Sequence, residues 1–275
     1  MAKDNHNDVA VISASSVSSS NSSTINSKEK STSTPNHHDG VKDLITLFVM
    51  VVVISISQYL VGTYLQFNNF SMEMYFALTF VGIFTLVGGF ELYFKTQRIV
   101  ISNYQSKKDY IIAHSFIDDL IPFIPHSIYL YTFGDLFIMS CLIPTSPNLE
   151  TIIRIFFGML VVCVMQCLVF LIFPSTIPDN YRHAIDEYQT KYGKIDSYTY
   201  SFYKKMYGVD LHANAIPSGH CSIATYLAMT QWNVLGPITL LNPLLIAISC
   251  VCTKQHAALD TIVGILFGLL IYSVV

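Results

Sequence analysis

From Leu44 onward the chain alternates long apolar stretches with short polar ones, and seven of the apolar stretches approach the roughly 20 residues a helix needs to cross a bilayer core. They run at about Leu44–Leu65, Tyr75–Phe94, Ile121–Ile143, Ile152–Phe173, Gly219–Leu235, Pro237–Cys252 and Ala257–Val275. The fifth and sixth are short and are parted only by Leu235-Gly236-Pro237. That pair of Gly and Pro is a turn signal, and an unbroken helix there would be far too long. Asn242-Pro243 either kinks the sixth segment or marks its true start. The pattern predicts an all-α, polytopic membrane helix bundle with about seven transmembrane helices. Ahead of it, residues 1–42 form a Ser/Asn/Thr-rich tail with too little apolar content to bury anything, which predicts disorder, leaving 43–275 as the transmembrane domain. The tail lacks a basic start followed at once by a short apolar run, so the first hydrophobic segment is expected to stay as an anchor. His37-His38 reads as a solvated pair within it.

Composition strengthens the membrane reading. Of 275 residues, 52% are hydrophobic and only 12% charged, more apolar surface than a soluble core of this size uses. The net charge of −3 comes with scattered basic residues, which excludes a nucleic-acid patch, so no nucleic acid is expected as a partner. Cys141, Cys163, Cys167, Cys221, Cys250 and Cys252 all lie in or beside apolar runs, without a disulfide framework or CxxC spacing, and read as packing residues. Seven crossings put the tail, the loops near 95–120 and 174–218, and the corner at Lys254 on one side. Lys95, Arg98, Lys107, Lys108, Arg182, Lys191, Lys194, Lys204 and Lys205 fall there, whereas Arg154 starts a segment from the opposite face. This bias predicts a cytoplasmic side for those loops. The expected location is an endomembrane or the plasma membrane, as a multi-pass protein in contact with the lipid bilayer.

Candidate chemistry sits on that same side, at the two ends of 216–260. Pro217-Ser218-Gly219-His220 precedes an apolar helix: Pro suits a first helical turn, Gly lets backbone approach a ligand, and free N–H groups point outward, so an anion fits there. An ordinary helix start with Ser218 as cap is the plain alternative. His256 and Asp260 are four apart and share a helix face, where the carboxylate accepts one ring N–H and leaves the other nitrogen free to attack. The plain alternative is an acidic residue in a first turn beside an interfacial histidine. Asp118 and Asp119 read as a solvated helix start, with orientation of a basic ligand as the alternative. Glu91 and Asp135, inside apolar segments, are expected to face protein or water. Tyr129, Tyr131, Tyr198, Tyr200 and Tyr203 read as interfacial anchors.

Taken together, Pro217-Ser218-Gly219-His220 followed by Ser249 and by His256-xxx-Asp260 resembles the second and third signatures of the type 2 phosphatidic acid phosphatase superfamily. Thr253-Lys254-Gln255-His256 and Ile117-Asp118-Asp119-Leu120-Ile121-Pro122-Phe123-Ile124-Pro125 are similar to the inositol-phosphotransferase-like branch. The resemblance covers roughly 75–275 and implies a six-helix phosphatase-like core. It further implies a lipid-phosphate phosphatase or head-group phosphotransferase, acting on a membrane lipid phosphate without metal or other cofactor, and a site on the luminal or external face, against the cytoplasmic side that the charge bias predicts. His256 is then the nucleophile that forms a phosphohistidine, Asp260 orients it, and His220 protonates the leaving alkoxide and later activates the acceptor. Ser218 and the Gly219 backbone hold phosphate oxygens. Such chemistry asks of a protein mainly alignment and charge neutralisation. Two positions depart from the family pattern. Around the first signature Arg182 is the sole cation in Phe173–Arg182, and Cys250 stands where the third signature has Arg, a bidentate donor that Cys cannot imitate. Arg182 and Lys254 are therefore the candidate phosphate-binding cations. Those departures favour a second reading, a catalytically degenerate relative that binds lipid or a partner. A third reading takes His220, His256 and Asp260 as metal ligands, although the Pro-Ser-Gly lead-in has no role in such a set.

Overall fold

The computed structural model describes residues 37–66, 68–104, 110–193, 195–211 and 213–275, with backbone alone over 37–47 and 135–140. The tail reading for 1–36, the side chains of His37 and His38, and the reading of Asp135 lie outside the described residues. Leu44–Val275 form one compact unit, which carries both histidine clusters.

Helices stand at all seven places the hydropathy pattern marks: α1 (His37–Leu65), α2 (Met72–Asn103), α4 (Ser127–Thr145), α5 (Leu149–Ile172), α8 (Gly219–Thr230), α10 (Leu241–Cys252) and α11 (Ala258–Val274). Shorter helices lie between them: α3 (Phe116–Leu120), α6 (Ala184–Tyr192), α7 (Ser197–Val209) and α9 (Trp232–Leu235). Polar residues start several of these. Ser71 Oγ, Asn148 Oδ1 and Asp196 Oδ1 accept from the Met74, Thr151 and Thr199 N–H groups at the heads of α2, α5 and α7, satisfying donors a helix leaves open. The Gly236-Pro237 break holds: Gly236 takes φ +64° after α9, a value Gly adopts without strain, and Pro237 opens a 3-10 turn. Pro243 falls in the first turn of α10 and so marks a start rather than a kink.

Among the described residues, four helical stretches are long and apolar enough to cross a membrane: Phe48–Leu65, Met72–Asn103, Leu149–Ile172 and Trp232–Cys252. Ala258–Val274 is apolar but shorter. Large apolar side chains point outward along them, among them Leu60, Phe84, Phe157, Leu244 and Leu266. An apolar belt of this extent is an outer surface matched to hydrocarbon, not to water. The molecule is an all-α membrane protein.

α8 forms the larger part of the expected fifth segment, which α9 continues to Leu235. α8 has 12 residues, and Cys221, Ser222, Ala224, Thr225, Tyr226, Leu227 and Ala228 are all buried, so it is enclosed nearly all round. Its neighbours are α4, α5, α10 and α11. Small side chains make that crowding possible. The closest approach is to α11, where a Cβ on Gly264 would lie 2.7 Å from the Ser218 carbonyl oxygen and one on Gly268 would lie 2.5 Å from that of Ser222. This glycine pair, four apart, lets the two backbones touch. On the loop face a two-residue parallel ladder joins β1 (Ile111–Ile112) to β2 (Ser175–Thr176), and Asn214 bridges to Ser175 beside it. Three distant loops are thereby tied together over the N-terminal end of α8.

Candidate active site

The α8–α11 contact decides where the histidines meet. Ser218 caps α8 with its Oγ accepting from the Cys221 N–H at 3.4 Å, while its own N–H donates to the Asp260 carbonyl oxygen at 3.1 Å. The start of α8 is thus bonded directly to the first turn of α11. Between α10 and α11 the chain reverses at Thr253–Ala257, with Lys254 in the left-handed region at φ +57°. The His256 N–H donates to the Cys250 carbonyl at 3.2 Å, which folds the corner back on α10.

Within this frame His256 Nδ1 lies 2.9 Å from Asp260 Oδ2. Asp260 is fully buried and His256 nearly so. Burial alone disfavours the charged ring, but the carboxylate's charge and hydrogen bond outweigh it and hold the His256 pKa above the ordinary histidine value. The pairing leaves Nε2 as the free ring nitrogen. The His220 ring, in the first turn of α8, has its centroid 6.2 Å from that of His256. Tyr131 of α4 stacks on His220 at 4.1 Å and sets its plane. The two histidines are therefore neighbours, one oriented by a carboxylate and the other by an aromatic face.

Both histidines open on a cavity of about 340 Å³. One part of its wall is apolar, from Leu86, Phe90 and Phe94 of α2 and Phe170 of α5; the polar part includes Gln166, Asp210, Asn214 and Gly219. Of the residues singled out in the sequence, Gly219, His220 and His256 line it, with Asp260 behind His256. Ser218 is buried behind the wall. The two cations do not line it. Arg182 Nη2 donates to the Asp210 carbonyl at 3.2 Å, and Lys254 Nζ donates to the carbonyls of Asp118 and Ile121 at 2.7 and 2.8 Å. Burial lowers the Lys254 pKa, partly opposed by the Asp118 charge. Cys250, at the family's Arg position, is fully buried with its sulfur 3.9 Å from that of Cys221. No group of three or more His, Cys, Asp or Glu side chains suited to a metal occurs among the described residues.

The readings of Asp118, Tyr131 and Tyr203 are corrected. Asp118 is 2% exposed rather than solvated. Its Oδ1 accepts the Ala258 N–H at 2.7 Å and its Oδ2 accepts from Ser115 N and Oγ at 2.8 and 2.7 Å, so it caps α3 and α11 at once. Tyr131 and Tyr203 are buried in the core rather than placed as interfacial anchors, whereas Tyr198 is exposed. Glu91 is exposed on α2. Asn214 and Asp210 belong to the cavity yet stand out by no motif; the bond from Asp118 to Ala258 spans 140 positions, beyond any local pattern.

A buried histidine–carboxylate pair thus stands near a second histidine at a helix head, inside an all-α membrane protein. A family model described as the PAP2 superfamily matches residues 119–274, more than half of the chain, and the protein belongs to that superfamily. The match leaves out 75–118, the earlier part of the region where the resemblance is seen. Members of this superfamily are generally phosphatases, and membership supports a phosphatase-like function here. A comparison with curated proteins finds no significant match.

Proposed function

We propose that the protein is a multi-pass lipid-phosphate phosphatase or head-group phosphotransferase working through a phosphohistidine at His256. The observation that carries this reading is the buried His256–Asp260 pair at 2.9 Å, set opposite His220 across one cavity. Asp260 accepts the Nδ1 hydrogen and fixes the tautomer, so the Nε2 lone pair attacks phosphorus. The P–O ester bond breaks as the P–N bond forms, and His220 gives its proton to the departing alkoxide. In the second half His220 takes a proton from the incoming hydroxyl, whose oxygen attacks phosphorus while the P–N bond breaks. Water as acceptor gives hydrolysis; an alcohol gives transfer. A lipid substrate is supported by the apolar wall of the cavity, on which an acyl chain can lie while its phosphate reaches the histidines. Gly219 backbone and the Ser218-capped turn hold phosphoryl oxygens, with Arg182 and Lys254 contributing positive charge from outside the cavity.

A second reading, a catalytically silent relative that binds lipid phosphate, is favoured by one observation: both cations are engaged with main-chain carbonyls. Purified protein in mixed micelles, given a panel of lipid phosphates with free phosphate and transferred head group both measured, separates the two. The enzyme reading predicts turnover that His256→Ala reduces by about 10⁴-fold or more, together with an alkali-stable, acid-labile phosphate label that the variant lacks. Wild-type protein no faster than His256→Ala and His220→Ala on every lipid sinks it.

A further inference from the structure

The cavity wall contains a buried amide that meets no hydrogen-bond partner among the described residues. Asn214 is 2% exposed, and neither its Nδ2 nor its Oδ1 has a hydrogen-bond partner among the described residues. Its backbone is fixed: Asn214 bridges to Ser175, and the N–H groups of Ala215 and Ile216 donate to Ser175 Oγ at 3.1 and 2.8 Å. A buried amide unmet at both ends is costly, and native proteins almost always satisfy such groups. Asn214 is among the residues that line the same cavity as Gly219, His220 and His256, which makes a molecule bound there the partner open to it.

Charge indicates what that partner is. Among the described residues that line the cavity there is no Lys or Arg. Phosphoryl transfer nevertheless needs donors on the equatorial oxygens, so in this site neutral groups must supply them. We propose that Asn214 is a phosphoryl ligand: its Nδ2–H donates to a phosphoryl oxygen, alongside the N–H groups in the first turn of α8, and its Oδ1 accepts from a P–OH or from the incoming hydroxyl. The inference rests on the reading of the cavity as a phosphotransfer centre. The ligand is a phosphoryl group, whether carried by a lipid or as free phosphate.

The test uses the full chain in detergent micelles, with Asn214→Ala, Asn214→Leu and Asn214→Asp. Binding of orthovanadate and of inorganic phosphate is read by thermal shift and needs no turnover; kcat and KM are read on phosphatidic acid in mixed micelles. Asn214→Ala is expected to weaken both oxyanions about 10-fold or more and to lower lipid kcat/KM about 10²-fold, as for other lost transition-state donors. Asn214→Asp is expected to be worse than Ala, because it faces the anion with a carboxylate. Melting temperature is expected to hold or rise in Asn214→Leu, since an unmet buried amide is removed. The proposal is overturned if oxyanion binding is unchanged in Asn214→Ala, if Asn214→Asp matches wild type, or if all three variants lose melting temperature in step with binding. A fall in lipid kcat/KM with unchanged phosphate binding also overturns it, placing Asn214 against the lipid instead. Failure confined to these predictions leaves the His256 reading standing; wild-type protein that neither binds an oxyanion nor turns over lipid removes both.

Discussion

At His256 two opposing effects meet, and their balance has a measurable sign. Burial favours the neutral ring, the Asp260 carboxylate favours the charged one, and the carboxylate wins. The neutral ring is the nucleophile, so turnover should be lost as pH falls through a His256 pKa that lies above the usual value of about 6.5. Asp260→Asn removes the counter-charge. The acid limb of kcat/KM should then move to lower pH while the plateau kcat falls about 10³- to 10⁴-fold, as when an orienting carboxylate is neutralised elsewhere. An acid limb that stays in place would mean another group titrates there. The pair was readable from its spacing of four. Asn214, in contrast, gave no sign, because its significance is an absence of partners, and partners are set by chain segments such as Ser175 that are remote in sequence.

At the scale of elements, the α8–α11 seam and the Thr253–Ala257 corner hold the site. Gly264→Val puts a side chain into the Ser218 carbonyl, so it should cost about 2–3 kcal/mol or more of stability and take activity down with it. Gly88→Ala on α2, where an added Cβ meets nothing within 4 Å, should be neutral or stabilising by about 0.5–1 kcal/mol and serves as the control in the same melting experiment. The corner is braced from the 115–124 segment by three contacts: Asp118 Oδ1 to Ala258 N–H, Lys254 Nζ to two carbonyls, and Ile124 N–H to the Cys252 carbonyl at 2.9 Å. Lys254→Met should therefore lower melting temperature and kcat with little change in KM. A rise in KM alone would instead assign Lys254 to the phosphate. Asp118→Ala strips a buried cap from two helices and should cost about 3 kcal/mol. The sequence marked a turn near Lys254 and a helix start at Asp118, but not that one clamps the other.

For the molecule as a whole, the outward-facing apolar belt predicts that the protein stays with the membrane through alkaline carbonate washing and leaves only with detergent, as read by fractionation. Hydropathy, capping residues and Gly-Pro breaks determined the helical class and the positions of the helices, because those depend on neighbours within a few residues. The pairing of His256 with Asp260 is equally local, four positions long, although His256 stands in the corner ahead of α11 rather than on the shared helix face its spacing predicts. What only the tertiary structure decided is everything set by contacts between distant segments: that α8 is an enclosed central helix, that Gly264 and Gly268 bring its head against Asp260, that Arg182 and Lys254 bond to main-chain carbonyls and do not line the cavity, and that the Asn214 amide meets no partner among the described residues around it. A backbone can be read from local propensity, but the environment of a polar side chain is made by whichever segments pack around it, and here those lie up to 140 positions away.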